Sequence, residues 1–183
     1  HGFDVVLAAV HGEGAALAAR HPVIVALVQD YGSVFFTGGD QALITGALAP
    51  KGVESPVLAA IRQAHAAGGL IAGSSAGAAI MSGVMISGGT SLEAATYGVV
   101  PNPDKPGLLM GKGLGFFPWG MVDQHFIKRG RFGRLVIAMA DSGVRRGFGI
   151  DENTALFVDG PQGHVIGEFG VFVLDMKGAK QDK

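Results

Sequence analysis

The chain has 183 residues, of which 48% are hydrophobic and 16% charged, and its formal net charge is −1. This length and composition fit one folded domain with a sizeable core and exclude intrinsic disorder. The near-neutral charge gives no bias towards nucleic acid or a membrane surface, and no apolar run reaches the length of a membrane span. Cysteine is absent, which excludes disulfides, thiolate metal sites and a cysteine nucleophile.

The cellular compartment stays open on this composition. No signal peptide is visible at His1. We therefore slightly favour the cytoplasm, with secretion or a periplasmic location as the alternative if a signal precedes that residue.

Short apolar runs bounded by turn residues define the first half of the chain. We expect a strand at residues 3–10, a loop leading into a short helix at 11–20, and either helix or strand at 21–29. The run at 34–36 has β character, and Gly38-Gly39 turns the chain away from its carboxyl end. Helices are expected at 42–48 and at 53–67, the second stopped by Gly68-Gly69.

The second half alternates apolar runs with glycine-rich turns. A strand at 70–72 leads through a small-residue turn into a helix at 78–81, and a further apolar run follows at 84–86. The proline- and glycine-rich stretch at 94–113 indicates a surface loop. Further expected elements are an amphipathic helix at 129–141, a strand at 147–150, closing strands at 155–158, 164–166 and 171–174 in antiparallel hairpins, and a polar tail at 177–183. Together the elements predict an α/β fold with a mainly parallel sheet flanked by helices, in a single domain over residues 1–176.

The stretch at 68–83 contains the pattern Gly73-x-Ser75-x-Gly77 between a strand and a helix. This spacing is typical of a nucleophile elbow, where a serine lies on a sharp strand-to-helix turn. The turn holds the serine in a sparsely populated backbone conformation, and side chains at the two glycine positions would collide. The alternative is an ordinary tight turn with small residues for close packing.

Four polar clusters follow predicted strands. In parallel sheets, sites collect beyond the carboxyl ends of the strands, so we expect these clusters to share one edge. They are Gly38-Gly39-Asp40-Gln41, Ser75, Asp123-Gln124-His125 and Asp151-Glu152.

A serine nucleophile needs a base and a carboxylate that orients the base. Among six histidines, His125 has the best context, because it follows an apolar run within a polar cluster. Glu152 is the preferred carboxylate, Glu93 the second candidate and Asp123 the third; Asp151-Glu152 also fits a simple turn or cap. The oxyanion hole would use the backbone N–H groups of Ala76 and of the turn at Gly39. The remaining histidines are interpreted as surface or capping residues (His1, His11, His21 and His65) or as part of the closing strands (His164).

Arg129, Arg131 and Arg134 form a basic cluster just after His125. On its own the cluster fits a solvated helix face equally well. Beside a hydrolytic site it indicates recognition of carboxylates, which arginine binds in bidentate fashion. The sequence shows no metal-ligand spacing, and the turn at Gly73 to Gly77 lacks the lysine of a phosphate-binding loop.

Four stretches resemble a known family: FTGGDQ at 36–41, GSSAGAA at 73–79, DQHF at 123–126 with the three arginines, and GIDENTA at 149–155. They are similar to the serine peptidase family that contains cyanophycinases and aspartyl dipeptidase (peptidase E), and most similar to the cyanophycinases. The resemblance covers roughly residues 31–175. It implies a class I glutamine amidotransferase-like α/β fold and a Ser75–His125–Glu152 triad. The stretch at 88–93 also resembles the family, so the role of Glu93 stays open.

The resemblance further implies cleavage of cyanophycin, a poly-aspartate carrying arginine on each β-carboxyl, to β-aspartyl-arginine dipeptides without a cofactor. It implies no nucleic-acid or membrane partner, and a homodimer. Family members begin with a glycine-rich strand and a helix before the equivalent of His1, so we expect both to be missing here. The loop at 94–113 also looks longer than the corresponding loop of the cyanophycinase pattern. The implied substrate contacts are guanidinium acceptors and carboxylate donors: Gln41, Thr90, Asp123, Gln124, Arg129, Arg131 and Arg134.

Two other functions compete with cyanophycin hydrolysis. The first is a serine dipeptidase acting on N-terminal aspartyl peptides, which would need fewer contacts along a groove. The second is a non-catalytic homologue that binds acidic or arginyl peptides; the presence of Ser75, His125 and Glu152 together argues against it.

Overall fold

The structure is a computed structural model that describes residues 4–180. The chain forms two compact units, divided after Gly77. The helices are α1 (Ala15–Ala18), α2 (Pro22–Tyr31), α3 (Gln41–Leu48), α4 (Pro56–Ala66), α5 (Ala76–Ala79), α6 (Ser91–Tyr97) and α7 (Phe132–Ser142). The strands are β1 (Val34–Phe36), β2 (Ile71–Gly73), β3 (Val84–Gly88), β4 (Leu109–Lys112), β5 (Met121–Gln124), β6 (Arg146–Ile150), β7 (Thr154–Asp159), β8 (Gln162–Gly167) and β9 (Val171–Asp175).

In the first unit, β1 and β2 pair in parallel, with Phe36 opposite Gly73 at their carboxyl ends. Helix α4 begins where Ser55 accepts a hydrogen bond from the Leu58 N–H and is followed by a proline at the first helical position. Leu58 and Ile61 on this helix are buried and form much of the core of the unit. The predicted strands at 34–36 and 70–72 and the predicted helices at 42–48 and 53–67 are therefore present.

Residues 21–29, which the sequence leaves undecided, belong to helix α2. His21 caps this helix by accepting a hydrogen bond from the Val23 N–H, in keeping with the capping role expected for it. Gly32 ends the helix with a left-handed φ of 67°, a conformation that glycine adopts without strain. The helix start and stop signals decide the question that periodicity alone left open.

The predicted strand at 3–10 is wrong for the residues that the structure describes. Residues 4–10 have no regular secondary structure, and Val5 and Leu7 are 88% and 77% exposed. An apolar run becomes a strand only when a neighbouring strand satisfies its backbone groups, and these residues have no strand partner. Phe3, His1 and residues 181–183 of the tail lie outside the described residues.

In the second unit, β6 is the middle strand of three, parallel to β5 and antiparallel to β9. Strands β3 and β4 form an antiparallel pair, and β7 and β8 form the hairpin that Asp159-Gly160 predicts. The α/β class is confirmed. Strand β9 does not continue the hairpin, because it pairs with β6 instead. The described residues contain both parallel and antiparallel strand pairs.

The predicted loop at 94–113 is also wrong in part. Helix α6 begins at a capping box formed by Thr90 and Glu93. It continues to Tyr97, so residues 94–97 are helical. Strand β4 pairs with β3, with Lys112 opposite Val84. Only the proline-rich centre of the stretch has the irregular structure that its composition indicates.

The core of the second unit lies between α7 and the central strands. It contains Phe126, Leu135 and Met139, all essentially buried. Two glycines of β6 make this packing possible, because a Cβ on Gly147 would lie 2.4 Å from the Met139 sulfur and one on Gly149 would lie 2.3 Å from the Phe126 ring. Among residues 4–180, no helix combines the length and apolarity that crossing a membrane requires.

Candidate active site

Ser75 lies on a tight turn between β2 and α5. Strand β2 ends at Gly73 and the helix starts at Ala76, so the turn contains only Ser74 and Ser75. Ser75 has a φ of 54°, in the left-handed region that side-chain-bearing residues rarely adopt. A serine in such a conformation is held there by its surroundings, which is frequent at functional sites.

Gly73 and Gly77 flank this turn and leave no space for a side chain. A Cβ on Gly73 would lie 2.3 Å from the Gly77 carbonyl oxygen, and one on Gly77 would lie 2.2 Å from the Phe36 carbonyl oxygen. The Ser74 N–H donates to that same Phe36 oxygen at 2.9 Å, which ties the turn to the end of β1. The pattern Gly73-x-Ser75-x-Gly77 therefore has a steric basis in the first unit.

The turn after β1 lies beside Ser75. A Cβ on Gly38 would be 3.3 Å from the Ser75 Cβ and 3.7 Å from its Oγ. Gly39 follows with a φ of 134°, and Asp40 caps α3, whose first residue is Gln41. The Gly38-Gly39 turn, from which the sequence analysis expects an oxyanion donor, therefore lies next to Ser75.

His125 and Glu152 are in direct contact in the second unit. Their Nδ1 and Oε1 atoms are 3.0 Å apart, and the two side chains are 23% and 40% exposed. The parallel register explains the contact, since Gln124 at the end of β5 is opposite Ile150 at the end of β6. His125 and Glu152 follow these ends by one and two residues, which places both at the same edge.

The turn that carries His125 is held by hydrogen bonds from the two backbone N–H groups that follow it. His125 has a φ of 49°, a second left-handed residue at a candidate catalytic position. The Phe126 N–H donates to the Ile150 carbonyl at 3.2 Å, and the Ile127 N–H donates to the Asp151 carboxylate at 2.8 Å. Asp151 thus has the turn-forming role that its sequence context allowed.

Glu93 is bound within helix α6. Its carboxylate accepts hydrogen bonds from the Thr90 hydroxyl and the Thr90 N–H, both at 2.8 Å. The hydroxyl bond, and after it the backbone bond, lowers the pKa of Glu93 below its ordinary value. The contacts of Thr90 and Glu93 are those of a helix cap.

The stability that Glu93 contributes through its charge should depend on pH. Because the pKa of Glu93 is lower in the folded chain than its ordinary value of 4.5, this contribution is complete above pH 4.5 and is lost as pH falls through the folded-state pKa. Glutamine also serves in capping boxes but carries no charge. We expect the protein to melt above its Glu93→Gln variant at pH 7, and this difference to shrink as pH falls below 4.5, in thermal unfolding followed by circular dichroism. A difference that stays constant as the pH is lowered would contradict the prediction.

Asp123 and Arg134 form a buried ion pair in which both carboxylate oxygens are used. Arg134 donates from Nε to Oδ2 at 2.7 Å and from Nη2 to Oδ1 at 2.5 Å, and the two residues are only 1% and 5% exposed. The third donor of Arg134, Nη1, binds the Gly89 carbonyl at 2.7 Å. This pair joins the end of β5 to helix α7 and to the turn before α6.

Arg131 binds the neighbouring residue, Gln124. Its Nη1 donates to the backbone carbonyl of Gln124 at 2.7 Å and to the side-chain Oε1 at 2.6 Å, and lies 3.5 Å from Asp123. Burial, and then the positive charge of Arg134, lowers the pKa of Arg131 to about 10, so it remains a cation at neutral pH. Arg129 lies on an exposed turn before helix α7, which begins at Phe132.

Removing one member of the Asp123–Arg134 pair should destabilise the protein strongly. Asp123→Asn leaves the Arg134 cation buried without its counter-ion, a loss of about 3–5 kcal/mol in the free energy of unfolding. Urea unfolding of the variant measures this loss. Asp175→Asn, which removes the exposed partner of Arg145, is the matched control and should change stability far less. If Asp123→Asn lowered the free energy of unfolding as little as Asp175→Asn, the Asp123–Arg134 pair would not be a major contributor to stability.

The candidate residues divide between the two units. Ser75, Ala76, Gly39 and Gln41 belong to the first. The second contains the contacting pairs His125–Glu152, Thr90–Glu93, Asp123–Arg134 and Gln124–Arg131, and the exposed Arg129. Within residues 4–180, no three or more histidine, cysteine or acidic side chains are grouped so that they could hold a metal ion.

A sequence model of peptidase family S51 matches residues 15–166, most of the chain. The chain belongs to peptidase family S51. This confirms the family that the four stretches around Gly38, Ser75, His125 and Glu152 resemble.

Two curated relatives share substantial identity with this chain. A cyanophycinase of Trichormus variabilis is 42% identical over 144 residues, which cover 78% of this chain and 44% of that protein. A cyanophycinase of Geminocystis herdmanii is 39% identical over 145 residues, which cover 78% and 49% of the two chains. The chain therefore spans less than half the length of these two curated relatives.

The fold also matches a solved structure. The crystal structure of a peptidase from an acI-B1 actinobacterium superposes with a TM-score of 0.64 at 24% sequence identity, covering 87% of this chain and 60% of that one. This likeness supports the α/β fold of the family.

Proposed function

We propose that this S51 chain is part of a serine peptidase in which Ser75 is the nucleophile, His125 the base and Glu152 the carboxylate that orients the base. The observation that carries the proposal is the 3.0 Å contact between His125 Nδ1 and Glu152 Oε1. A carboxylate on Nδ1 fixes the tautomer in which Nε2 carries no proton and can act as the base. Glu93 is not proposed for this role, because its carboxylate is bound to Thr90.

The chain is proposed to form a single catalytic domain with a mainly parallel sheet, similar to class I glutamine amidotransferases. The turn at Ser75 is proposed to be a nucleophile elbow. Its left-handed φ of 54° and the two crowded glycines support this reading. The backbone N–H groups of Ala76 and Gly39 would form the oxyanion hole. The position of Gly38 beside Ser75 supports the second of these donors.

In the proposed reaction, Ser75 Oγ attacks the scissile carbonyl carbon while His125 Nε2 takes the hydroxyl proton. The carbonyl π electrons move to oxygen, where the oxyanion hole stabilises the charge. The tetrahedral intermediate collapses, the C–N bond breaks, and His125 gives its proton to the departing amine. Water then attacks the acyl-enzyme in the same way and releases the carboxylic acid.

Cyanophycin is the proposed substrate, and β-aspartyl-arginine dipeptides are the proposed products, without a cofactor. The identity of about 40% with cyanophycinases supports this choice over an aspartyl dipeptidase, as does the group of cations at Arg129, Arg131 and Arg134. Gln41, Thr90, Gln124, Arg129 and Arg131 remain proposed contacts. Direct contact by Asp123 and Arg134 is not proposed, because each is buried and paired with the other.

The test is to incubate the protein with insoluble cyanophycin and to identify the soluble products by mass spectrometry. Release of β-aspartyl-arginine is the expected result. Hydrolysis of aspartyl dipeptides alone would assign the dipeptidase reaction instead. Inactivity on both substrates, with peptide binding retained, would assign the non-catalytic reading.

We further propose a homodimer that acts without nucleic acid or a membrane. Light scattering coupled to size-exclusion chromatography measures the molar mass in solution. A mass equal to one chain would contradict the homodimer.

A further inference from the structure

The carboxylate proposed to orient His125 depends on its own backbone for support. The Glu152 side chain is 40% exposed, and the hydrogen bond that the structure shows for its carboxylate is the one to His125. A half-exposed side chain is not held by packing, so it keeps a catalytic geometry only where the backbone beneath it is fixed. The placement of Glu152 therefore depends on the contacts of the turn at residues 151–153.

The segment at residues 168–170, which joins β8 to β9, holds the two ends of this turn. The Asp151 N–H donates to the Gly170 carbonyl at 3.2 Å, and the Glu168 N–H donates to the Asn153 carbonyl at 2.9 Å. Asn153 has a left-handed φ of 50°, and its side-chain Nδ2 donates to the Glu168 carboxylate at 3.2 Å. A residue in this conformation persists where its surroundings hold it, and here residue 168 does so from two directions.

The hydroxyl of Thr154 provides the contact at Glu152 itself. Its Oγ1 donates to the Glu152 backbone carbonyl at 3.0 Å and accepts from the Phe169 N–H, also at 3.0 Å. A threonine hydroxyl has one hydrogen to donate and lone pairs with which to accept, so this side chain can make both bonds at once. Thr154 thereby connects the middle residue of the turn to the same segment that holds its two ends.

A glycine allows the segment to approach the turn so closely. Gly167 has a φ of 134°, and a Cβ on it would lie 2.1 Å from the Asn153 carbonyl oxygen. Thr154 is the strand partner of Gly167 in the β7–β8 pair. The register of this hairpin therefore places the Thr154 hydroxyl between the turn and residue 169.

We propose that Thr154 is a positioning residue of the triad. Its hydroxyl ties the Glu152 backbone to the segment at residues 168–170 and so keeps the Glu152 carboxylate on His125 Nδ1. The proposal rests on the peptidase function proposed above and deepens it. Because Thr154 acts through Glu152, its contribution to turnover should disappear when the Glu152 carboxylate is removed.

Thr154→Val is the test variant, because valine keeps the β-branched shape and lacks the hydroxyl. We expect kcat on cyanophycin to fall about 10- to 100-fold, the scale of a small misplacement of a catalytic group, with KM unchanged within about 2-fold. Thr154→Ser, which keeps the hydroxyl, should recover most of the activity. Thr96→Val is the matched control, since the Thr96 hydroxyl also binds a backbone carbonyl, that of Leu92 in helix α6, and its loss should leave kcat unchanged.

A double-mutant cycle distinguishes positioning from a general loss of structure. In the Glu152→Gln background, Thr154→Val should change kcat by less than about 2-fold, because the carboxylate that it places is gone. Melting temperatures of all variants check that the fold is retained. An equal loss of kcat in both backgrounds, or no loss in either, would overturn the proposal.

The tautomer of His125 gives a second readout that needs no turnover. Nitrogen NMR of the imidazole ring shows which nitrogen carries the proton, and the spectrum of a His125→Gln variant assigns the signals. With the ring neutral, we expect the proton on Nδ1 in the unsubstituted protein and in Thr154→Ser, and a mixture of both tautomers in Thr154→Val. An unchanged tautomer in Thr154→Val would also overturn the proposal. If the unsubstituted protein does not cleave cyanophycin, the proposed function fails, and the ring spectra still decide the role of Thr154.

Discussion

Ser75→Ala should abolish turnover of cyanophycin while leaving the fold intact. Removing the nucleophile of a serine triad lowers kcat by about 10⁶-fold, because no other group can form the acyl-enzyme. The substitution removes one oxygen and keeps a Cβ, so it adds no steric conflict to the turn, where Gly38 is the close neighbour. The measurement is product release over time, with a melting curve to verify folding.

Ser74→Ala is the matched control for this experiment. Ser74 is the adjacent serine, is exposed, and supports the turn through its backbone N–H and carbonyl, which alanine keeps. It should retain activity within a few-fold of the unsubstituted protein. If Ser75→Ala remained active while Ser74→Ala did not, the nucleophile assignment would move to Ser74.

Glu152→Gln should lower kcat by about 10⁴-fold, the scale seen when a triad carboxylate is replaced by its amide. The amide no longer stabilises the imidazolium that forms on His125, and its N–H can donate to Nδ1, which favours the wrong tautomer. Because Glu152 is 40% exposed, the substitution should change the melting temperature little. Steady-state kinetics on cyanophycin gives the loss in kcat.

Glu93→Gln tests the second candidate carboxylate in the same assay. Its contacts are with Thr90, so turnover at pH 7 should stay within a few-fold of the unsubstituted value. Losing more turnover with Glu93→Gln than with Glu152→Gln would transfer the third triad position to Glu93.

Features set by local geometry or by a single strand register were the most readable from the sequence. The pattern Gly73-x-Ser75-x-Gly77 predicts a crowded turn because its cause, the lack of space for a Cβ, acts within a few residues. The parallel strand ends also predict that His125 meets Glu152, since one register decides the position of both. These two features rest on local geometry and on a general property of parallel strands.

Features that depend on tertiary structure were the least readable from the sequence. The pairing of β9 with β6 depends on which strand has an open edge, and nothing in the closing strands specifies it. Thr90 and Glu93 are a local exception, because their spacing already fits a capping box beside the role in the site that the resemblance to a family stretch implies. Asp123 and Arg134 meet because α7 packs against β6, the partner strand of β5, which depends on tertiary structure.

Phe126 connects the candidate base to the core of the second unit. Its ring is fully buried, lies against the space that Gly149 leaves open, and stacks at a tilt against Phe172 with ring centroids 5.7 Å apart. His125 is the adjacent residue, so its backbone is anchored beside this buried ring. We expect the turn that carries the base to open only with the core of the unit, so thermal inactivation should accompany global unfolding of that unit instead of preceding it.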